Sequence, residues 1–263
     1  MKNKNFFRQL PPNTLTSLNL LAGALSIVVS FENNLLMAAY LIFIAAILDF
    51  LDGFVARAMK GFSEFGKMLD SLADTVSFGL APSVLLYHLM VEALGVTGIT
   101  NSFSTGEIGK TILLLVPFLI AIFSALRLAK FNIDTRQTDS FIGLPTPASA
   151  IFFASLIVFM KGNENPEIQY LLTIPSIIVL FVLIFSFLMV AEIRMFSLKF
   201  KSFALRHNVI RYLFLLISLI LLVLFKIPGL TLIIIFYVFL SVLVQLARVR
   251  REIRKIKKNN PEG

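Results

Sequence analysis

The 263 residues describe an all-α integral membrane protein of about eight transmembrane helices. Three observations lead there. Hydrophobic residues make up 57% of the chain and charged residues only 15%, with a mean hydropathy of +0.87. Soluble domains are nearer half apolar and a quarter charged, so a cytosolic globular enzyme, a disordered chain and a fibrous protein are excluded. The apolar residues fall into runs near the length that a bilayer demands, about 20 residues each. Nearly all cations sit on alternate connections between those runs.

The runs are 14–31, 34–58, 67–92, 111–130, 146–161, 170–193, 209–226 and 229–247. The fifth is short, and Pro145 and Pro147 blur its start. An even number of spans puts both termini on one side. With the N-terminus in the cytoplasm, the cytoplasmic cations are Lys2, Lys4 and Arg8; Arg57, Lys60 and Lys67; Arg127, Lys130 and Arg136; Arg194, Lys199, Lys201, Arg206 and Arg211; and seven from Arg248 to Lys258. Only Lys110, Lys161 and Lys226 remain for the other side. Positive residues follow the cytoplasmic side, so both termini are expected there, in the cell membrane. The net charge of +9 is then read as contact with anionic lipid headgroups, with no nucleic-acid partner.

Residues 1–13 form an expected cytoplasmic or interfacial arm, with no small-residue cleavage site after them. The outer connections 95–109 and 162–168 are too short and polar for a domain, and no inverted repeat is evident. Residues 248–263 form a basic tail suited to the inner leaflet. With no cysteine there is no disulfide, thiolate metal site or thiol nucleophile.

The chemistry is concentrated in 49–82. Acids inside a membrane span are costly and mark function. Asp49 and Asp52 lie three apart, and Gly53 and Ala56 continue their helical face. Gly66, Asp70 and Asp74 are spaced by four on the next helix. A short turn joins the two helices, so these faces can meet. Four carboxylates together need a cation. Hard oxygen donors without Cys or a nearby His suit Mg²⁺ or Mn²⁺, one or two ions of which can clamp a pyrophosphate. A proton or cation path in a transporter, or an interhelical ion-pair cluster, reads the same acids differently. The acids lie near the cytoplasmic helix ends, whereas transporter sites favour the midplane.

The segment reads Asp49-x2-Asp52-Gly53-x2-Ala56-Arg57-x8-Gly66-x3-Asp70-x3-Asp74. At every fixed position and spacing it resembles the signature of the CDP-alcohol phosphatidyltransferases. Ser77 to Pro82, Arg127 to Asn132, Phe141 to Pro147, and Pro12 to Thr16 with Asn19 and Leu20, are similar to the membrane-embedded branch that uses L-serine as acceptor. The resemblance covers residues 10–200, and Lys130 stands where that branch often carries Arg.

The resemblance implies a six-helix core over 14–200, followed here by two additional helices in 201–247. It implies a homodimer with a polar active site at the cytoplasmic face. The activity implied is transfer of a phosphatidyl group from CDP-diacylglycerol to L-serine, yielding phosphatidylserine and CMP. Glycerol 3-phosphate or inositol phosphate is the alternative acceptor, and a cation-coupled transporter the alternative of another class. Asp49, Asp52, Asp70 and Asp74 become metal ligands for Mg²⁺ or Mn²⁺, two ions by this resemblance. Asp74 is also the expected general base.

CDP-diacylglycerol contacts are expected from Gly53, Ala56, Arg57, Ser63 and Gly66. Asn13, Thr14 and Thr16 are assigned either to the cytidine or to a helix N-cap after Pro11 and Pro12. The serine carboxylate needs a cation, for which Arg127 leads over Lys130, with Asn132 nearby. His88 and His207 are expected to be structural. The last two helices are expected to seal a lipid-facing groove of the core.

Overall fold

The structure is a computed structural model, and it describes residues 2–134, 142–163, 165–195 and 205–259. Arg136 and Phe141 of the motifs lie outside these residues, as does the side chain of His207.

The described chain is helical, with one isolated antiparallel bridge between Ile142 and Arg194. In order the helices are α1 (Lys2–Phe31), α2 (Leu35–Met59), α3 (Glu64–Asp74), α4 (Ala81–Leu94), α5 (Ile99–Ser104), α6 (Ile108–Leu115), α7 (Leu119–Ile133), α8 (Thr146–Gly162), α9 (Pro166–Thr173), α10 (Pro175–Val190), α11 (Leu205–Phe225) and α12 (Gly229–Asn259). A π-helical segment, Thr75–Leu80, joins α3 to α4, and a 3₁₀ turn, Val116–Phe118, joins α6 to α7. Among the described residues six helical stretches are long and apolar enough to cross a membrane: Phe7–Phe31, Leu35–Met59, Glu64–Leu94, Ile108–Ile133, Asn208–Phe225 and Gly229–Ala247. The apolar helices α8 and α10 have 17 and 16 residues, about 25 Å at 1.5 Å per residue, slightly short of a hydrocarbon core.

Two boundaries differ from the sequence reading. No break separates the residues before 14 from the first span, because α1 runs from Lys2 through Pro11 and Pro12. Proline removes the amide that would bond the carbonyl four residues back, so Pro12 frees the Arg8 carbonyl. That oxygen lies against Gly61, where a Cβ would stand only 2.3 Å from it. Asn13, Thr14 and Thr16 are therefore interior helical residues and cannot be N-caps. The expected span 170–193 is divided at Pro175, with Ile174 before it extended as residues preceding proline prefer.

The centre of the bundle is α8. It is buried all round, and Phe152 stacks on Phe185 of α10 with ring centroids 4.1 Å apart. Such a helix has no solvent-facing stripe, which explains its continuous apolar sequence. α1 packs on α2, α3 and the segment after α3 through a buried face of Thr16, Asn19, Ala22, Gly23, Ser26 and Ser30, spaced by three and four. The hairpin of α11 and α12 leans on α8, where Ser155 and Thr231 hydroxyls share a 2.7 Å hydrogen bond. Much of its remaining surface is apolar and exposed, as lipid contact requires.

The π segment has a local cause. Pro82 cannot donate to the Phe78 carbonyl, and the Ala81 amide bonds Val76, five residues back. The segment is gripped on both sides by small residues. A Cβ on Gly23 of α1 would lie 2.3 Å from Ser77 Oγ, and one on Gly79 would lie 3.1 Å from Ser124 of α7. Gly23→Ala is expected to cost about 1–3 kcal/mol through overpacking. A lowered unfolding temperature in detergent checks this; an unchanged one shows that α1 can move away freely.

Candidate active site

Asp49 in the second half of α2 and Asp70 and Asp74 of α3 face one another on helices joined by the short turn 60–63. One carboxylate oxygen from each lies within 4.8 Å of the other two. The turn is built for this. Lys60 takes a left-handed conformation that closes α2, and Ser63 caps α3 by accepting the Gly66 amide at 3.0 Å. Asp52, expected in the same cluster, is not in this group of three. It is buried and accepts a 2.6 Å hydrogen bond from Thr16. Asp74 is 7% exposed and accepts from Asn19 Nδ2 at 3.4 Å. Asn19 is held in turn, since Ser77 donates to its carbonyl at 2.9 Å.

Two unit charges 4 Å apart repel by about 4 kcal/mol at the effective dielectric of a protein near its surface. Among the described residues no ion pair neutralises Asp49, Asp70 or Asp74. Three converging carboxylates with no partnered cation are a hard-oxygen donor set, and the residues present fit a divalent ion of the Mg²⁺ or Mn²⁺ type.

The acids stand between two adjoining clefts that share Asp52, Gly53, Lys67 and Asp70. The smaller, about 180 Å³, is walled by Asn13, Thr16, Ala56, Ser63 and Gly66. Gly66 matters sterically here: a Cβ would lie 2.9 Å from Asn13 Oδ1. The larger, about 430 Å³, reaches Arg57, Ser71, Asp74, Arg127, Asn132 and Thr146. Arg57 folds back over Gly53, and its Nη1 would be 3.6 Å from a Cβ there.

Arg127 is 7% exposed, lies within electrostatic reach of Asp74, and sits 5.8 Å from the Phe131 ring centroid. Its Nε and the Thr146 hydroxyl are buried without hydrogen-bond partners. Such orphaned groups are expensive unless something binds them. Asn132 donates to Ser71 at 2.9 Å and lines the same cleft. Lys130 does not line it and pairs with Glu192 at 3.1 Å. Thr14 is also outside both clefts, its hydroxyl bonded to the Leu10 carbonyl. His88 packs edge-on against Phe31 at the C-terminal end of α1, whereas the acids meet α1 at Thr16 and Asn19.

A family model described as CDP-alcohol phosphatidyltransferase matches residues 9–191, a stretch that contains the acid cluster and both clefts. The chain belongs to the CDP-alcohol phosphatidyltransferase family. It is 33% identical over 236 residues to a CDP-diacylglycerol–serine O-phosphatidyltransferase of Helicobacter pylori, covering 80% of this chain and 93% of that protein. A Bacillus subtilis protein of the same name is 34% identical over 155 residues, covering 59% of this chain and 77% of its own. An archaetidylserine synthase of Methanothermobacter thermautotrophicus is 36% identical over 146 residues, covering 55% and 56%.

Several residues that shape the site of this phosphatidyltransferase carried no assigned role in the sequence reading. Asn19 and Ser77 orient Asp74, Ser71 holds Asn132, and Thr146 places a free hydroxyl in the larger cleft. Asn19 was traceable in principle, because Thr16, Asn19 and Gly23 share the buried face of α1. Thr146 lies in the Phe141–Pro147 motif, which carried no role for it, and nothing local signals Ser71.

Proposed function

We propose that this CDP-alcohol phosphatidyltransferase transfers the phosphatidyl group of CDP-diacylglycerol to L-serine, producing phosphatidylserine and CMP. The observation that carries the reading is the acid cluster set between a small cleft and a larger one with a buried, under-bonded arginine. The Helicobacter and Bacillus relatives named for this reaction support serine as the acceptor.

The small cleft takes the nucleotide end, with Asn13, Thr16, Ser63 and the bare Gly53, Ala56 and Gly66 allowing close approach. Arg57 offers its guanidinium fork to a phosphate. Divalent ions, two of Mg²⁺ or Mn²⁺, held by Asp49, Asp70 and Asp74 with Asp52 beside them, supply charge compensation for the pyrophosphate. Serine enters the larger cleft with its carboxylate on Arg127 and its polar groups toward Asn132. Asp74 receives the hydroxyl proton as serine oxygen bonds the β-phosphorus, the one bearing diacylglycerol. The bond from that phosphorus to the CMP oxygen breaks, and CMP leaves. Asn19 keeps Asp74 oriented throughout.

The same reading puts the cluster and both termini at the cytoplasmic face of the cell membrane. It treats 14–200 as the catalytic core, 201–247 as two appended helices and 248–263 as a basic tail, in a homodimer.

CMP release from purified protein with CDP-diacylglycerol and Mg²⁺ or Mn²⁺ tests the reading, with L-serine, glycerol 3-phosphate and inositol phosphate compared in parallel. Release with serine alone is expected. Release with a phosphorylated acceptor instead keeps the chemistry and replaces the substrate. No release with any acceptor from folded protein overturns the reading and directs attention to cation flux.

Arg127→Ala is expected to raise the KM for serine about 10- to 100-fold, as loss of a charge-assisted hydrogen bond of about 1.5–3 kcal/mol requires. The KM for CDP-diacylglycerol should stay within twofold, and Arg127→Lys should recover part of the loss. Equal rises in both KM values would assign Arg127 to general packing.

A further inference from the structure

A third cleft lies away from the acids, between α10 and α12. Its volume is about 370 Å³ and its lining, including Phe181, Phe185, Leu188, Val238 and Val242, is wholly apolar. α12 belongs to the appended hairpin. It docks on α8 through Ser155 and Thr231. α10 is fixed to the same α8 by the Phe152–Phe185 stack. The two helices thus stand on one support with a gap between them. The gap lies within membrane-spanning sequence, so only hydrocarbon surrounds it. An empty gap there forfeits dispersion contacts on both walls, and a lipid tail restores them.

The walls of the gap adjoin the site in two places. Leu188, at its near end, accepts a 2.8 Å hydrogen bond from the Leu144 amide, and the next residues, Pro145 to Pro147, wall the larger cleft. On the other wall Tyr237, next to Val238, lies within electrostatic reach of Arg127. From Leu188 the gap runs along α10 to Phe181, about 10 Å away from the acid-cluster end at 1.5 Å per residue.

We infer that the α10–α12 gap holds one acyl chain of the CDP-diacylglycerol whose pyrophosphate sits at the acid cluster. This rests on the phosphatidyl-transfer reading above. It also gives the appended hairpin a purpose, since α12 supplies one wall of the acyl site.

Two measurements test it. Wild-type protein is photolysed with a CDP-diacylglycerol carrying a diazirine in the outer half of one chain, and labelled peptides are mapped. Label is expected within 181–188 or 235–242. Separately, kcat/KM is compared for dioleoyl and dioctanoyl CDP-diacylglycerol. Val238→Phe fills the gap and is expected to lower the long-to-short ratio at least fivefold. Leu219→Phe, on the exposed face of α11, should leave the ratio unchanged. Label confined to other helices, or an unaltered ratio in folded Val238→Phe, overturns the gap as the acyl site. If Val238→Phe does not fold, the label on wild-type protein decides alone. Wild-type protein silent toward both chain lengths with every acceptor sinks the phosphatidyl-transfer reading, and this inference with it.

Discussion

Asp74→Asn is expected to abolish CMP release, with a loss of about 10³-fold or more, because general-base catalysis alone is worth about 10²- to 10⁴-fold. The same substitution should leave the fold intact, and the physical reason is specific. Asp74, Asp49 and Asp70 present oxygens within 4.8 Å of one another, so the native cluster carries strong like-charge repulsion. Asparagine removes one charge from that group, and its side-chain oxygen can still accept from Asn19. The unfolding temperature in chelator should therefore equal or exceed that of the wild type. Added Mg²⁺ or Mn²⁺ should raise the wild-type value, and that of the variant less. A variant retaining a tenth of the activity would remove Asp74 from the reaction. A variant that unfolds in chelator would show that the Asp74 charge supports the fold.

Gly143→Ala should be the most damaging conservative change in the chain. Gly143 has φ +75°, and a Cβ there would lie 2.3 Å from the Met189 carbonyl oxygen and 3.0 Å from its carbon. Backbone atoms cannot swing aside as a side-chain end can. A left-handed residue with a Cβ costs about 1–2 kcal/mol, and overpacking adds about 1–3 kcal/mol. The total is a large share of the roughly 5–15 kcal/mol that typically holds a fold together. The damage reaches the site, because Gly143 and Leu144 pin their segment to the end of α10 by bonds to Ile193 and Leu188, and Pro145 to Thr146 continue into the larger cleft. Thermal unfolding and CMP release should fall together. Two comparisons separate the causes. Gly106 has φ +76° with nothing within 4 Å, so Gly106→Ala isolates the backbone cost. Gly109 has neither strain nor neighbours, so Gly109→Ala should be silent. If Gly143→Ala behaves like Gly106→Ala, the packing against Met189 has no energetic weight.

Features with short periods were legible without the structure. The apolar runs follow from bilayer thickness, and the pairing of Asp49 with Asp70 and Asp74 follows from spacings of three and four joined by a short turn. Local helix geometry and a short connection leave those side chains little choice of neighbour. Bare positions at 53, 56 and 66 were readable for the same reason.

What the sequence by itself determined was therefore an α-helical membrane protein with an acidic site at one end of two adjacent helices. The tertiary structure alone decided the rest. The continuation of α1 through Pro11 and Pro12 sets the Arg8 carbonyl against Gly61, some 50 residues away in the chain, an approach that a Cβ at Gly61 would block. Arg127 already led Lys130 in the sequence, but the contacts that separate them are tertiary: Glu192 from beyond α10 draws Lys130 away, while Arg127 is buried beside Asp74 and lines the cleft. Asp52 and Asp74 look alike in the motif, yet Thr16 and Asn19 give each a different partner. These outcomes depend on contacts between residues far apart in the chain, and such contacts follow from packing, which no local period encodes.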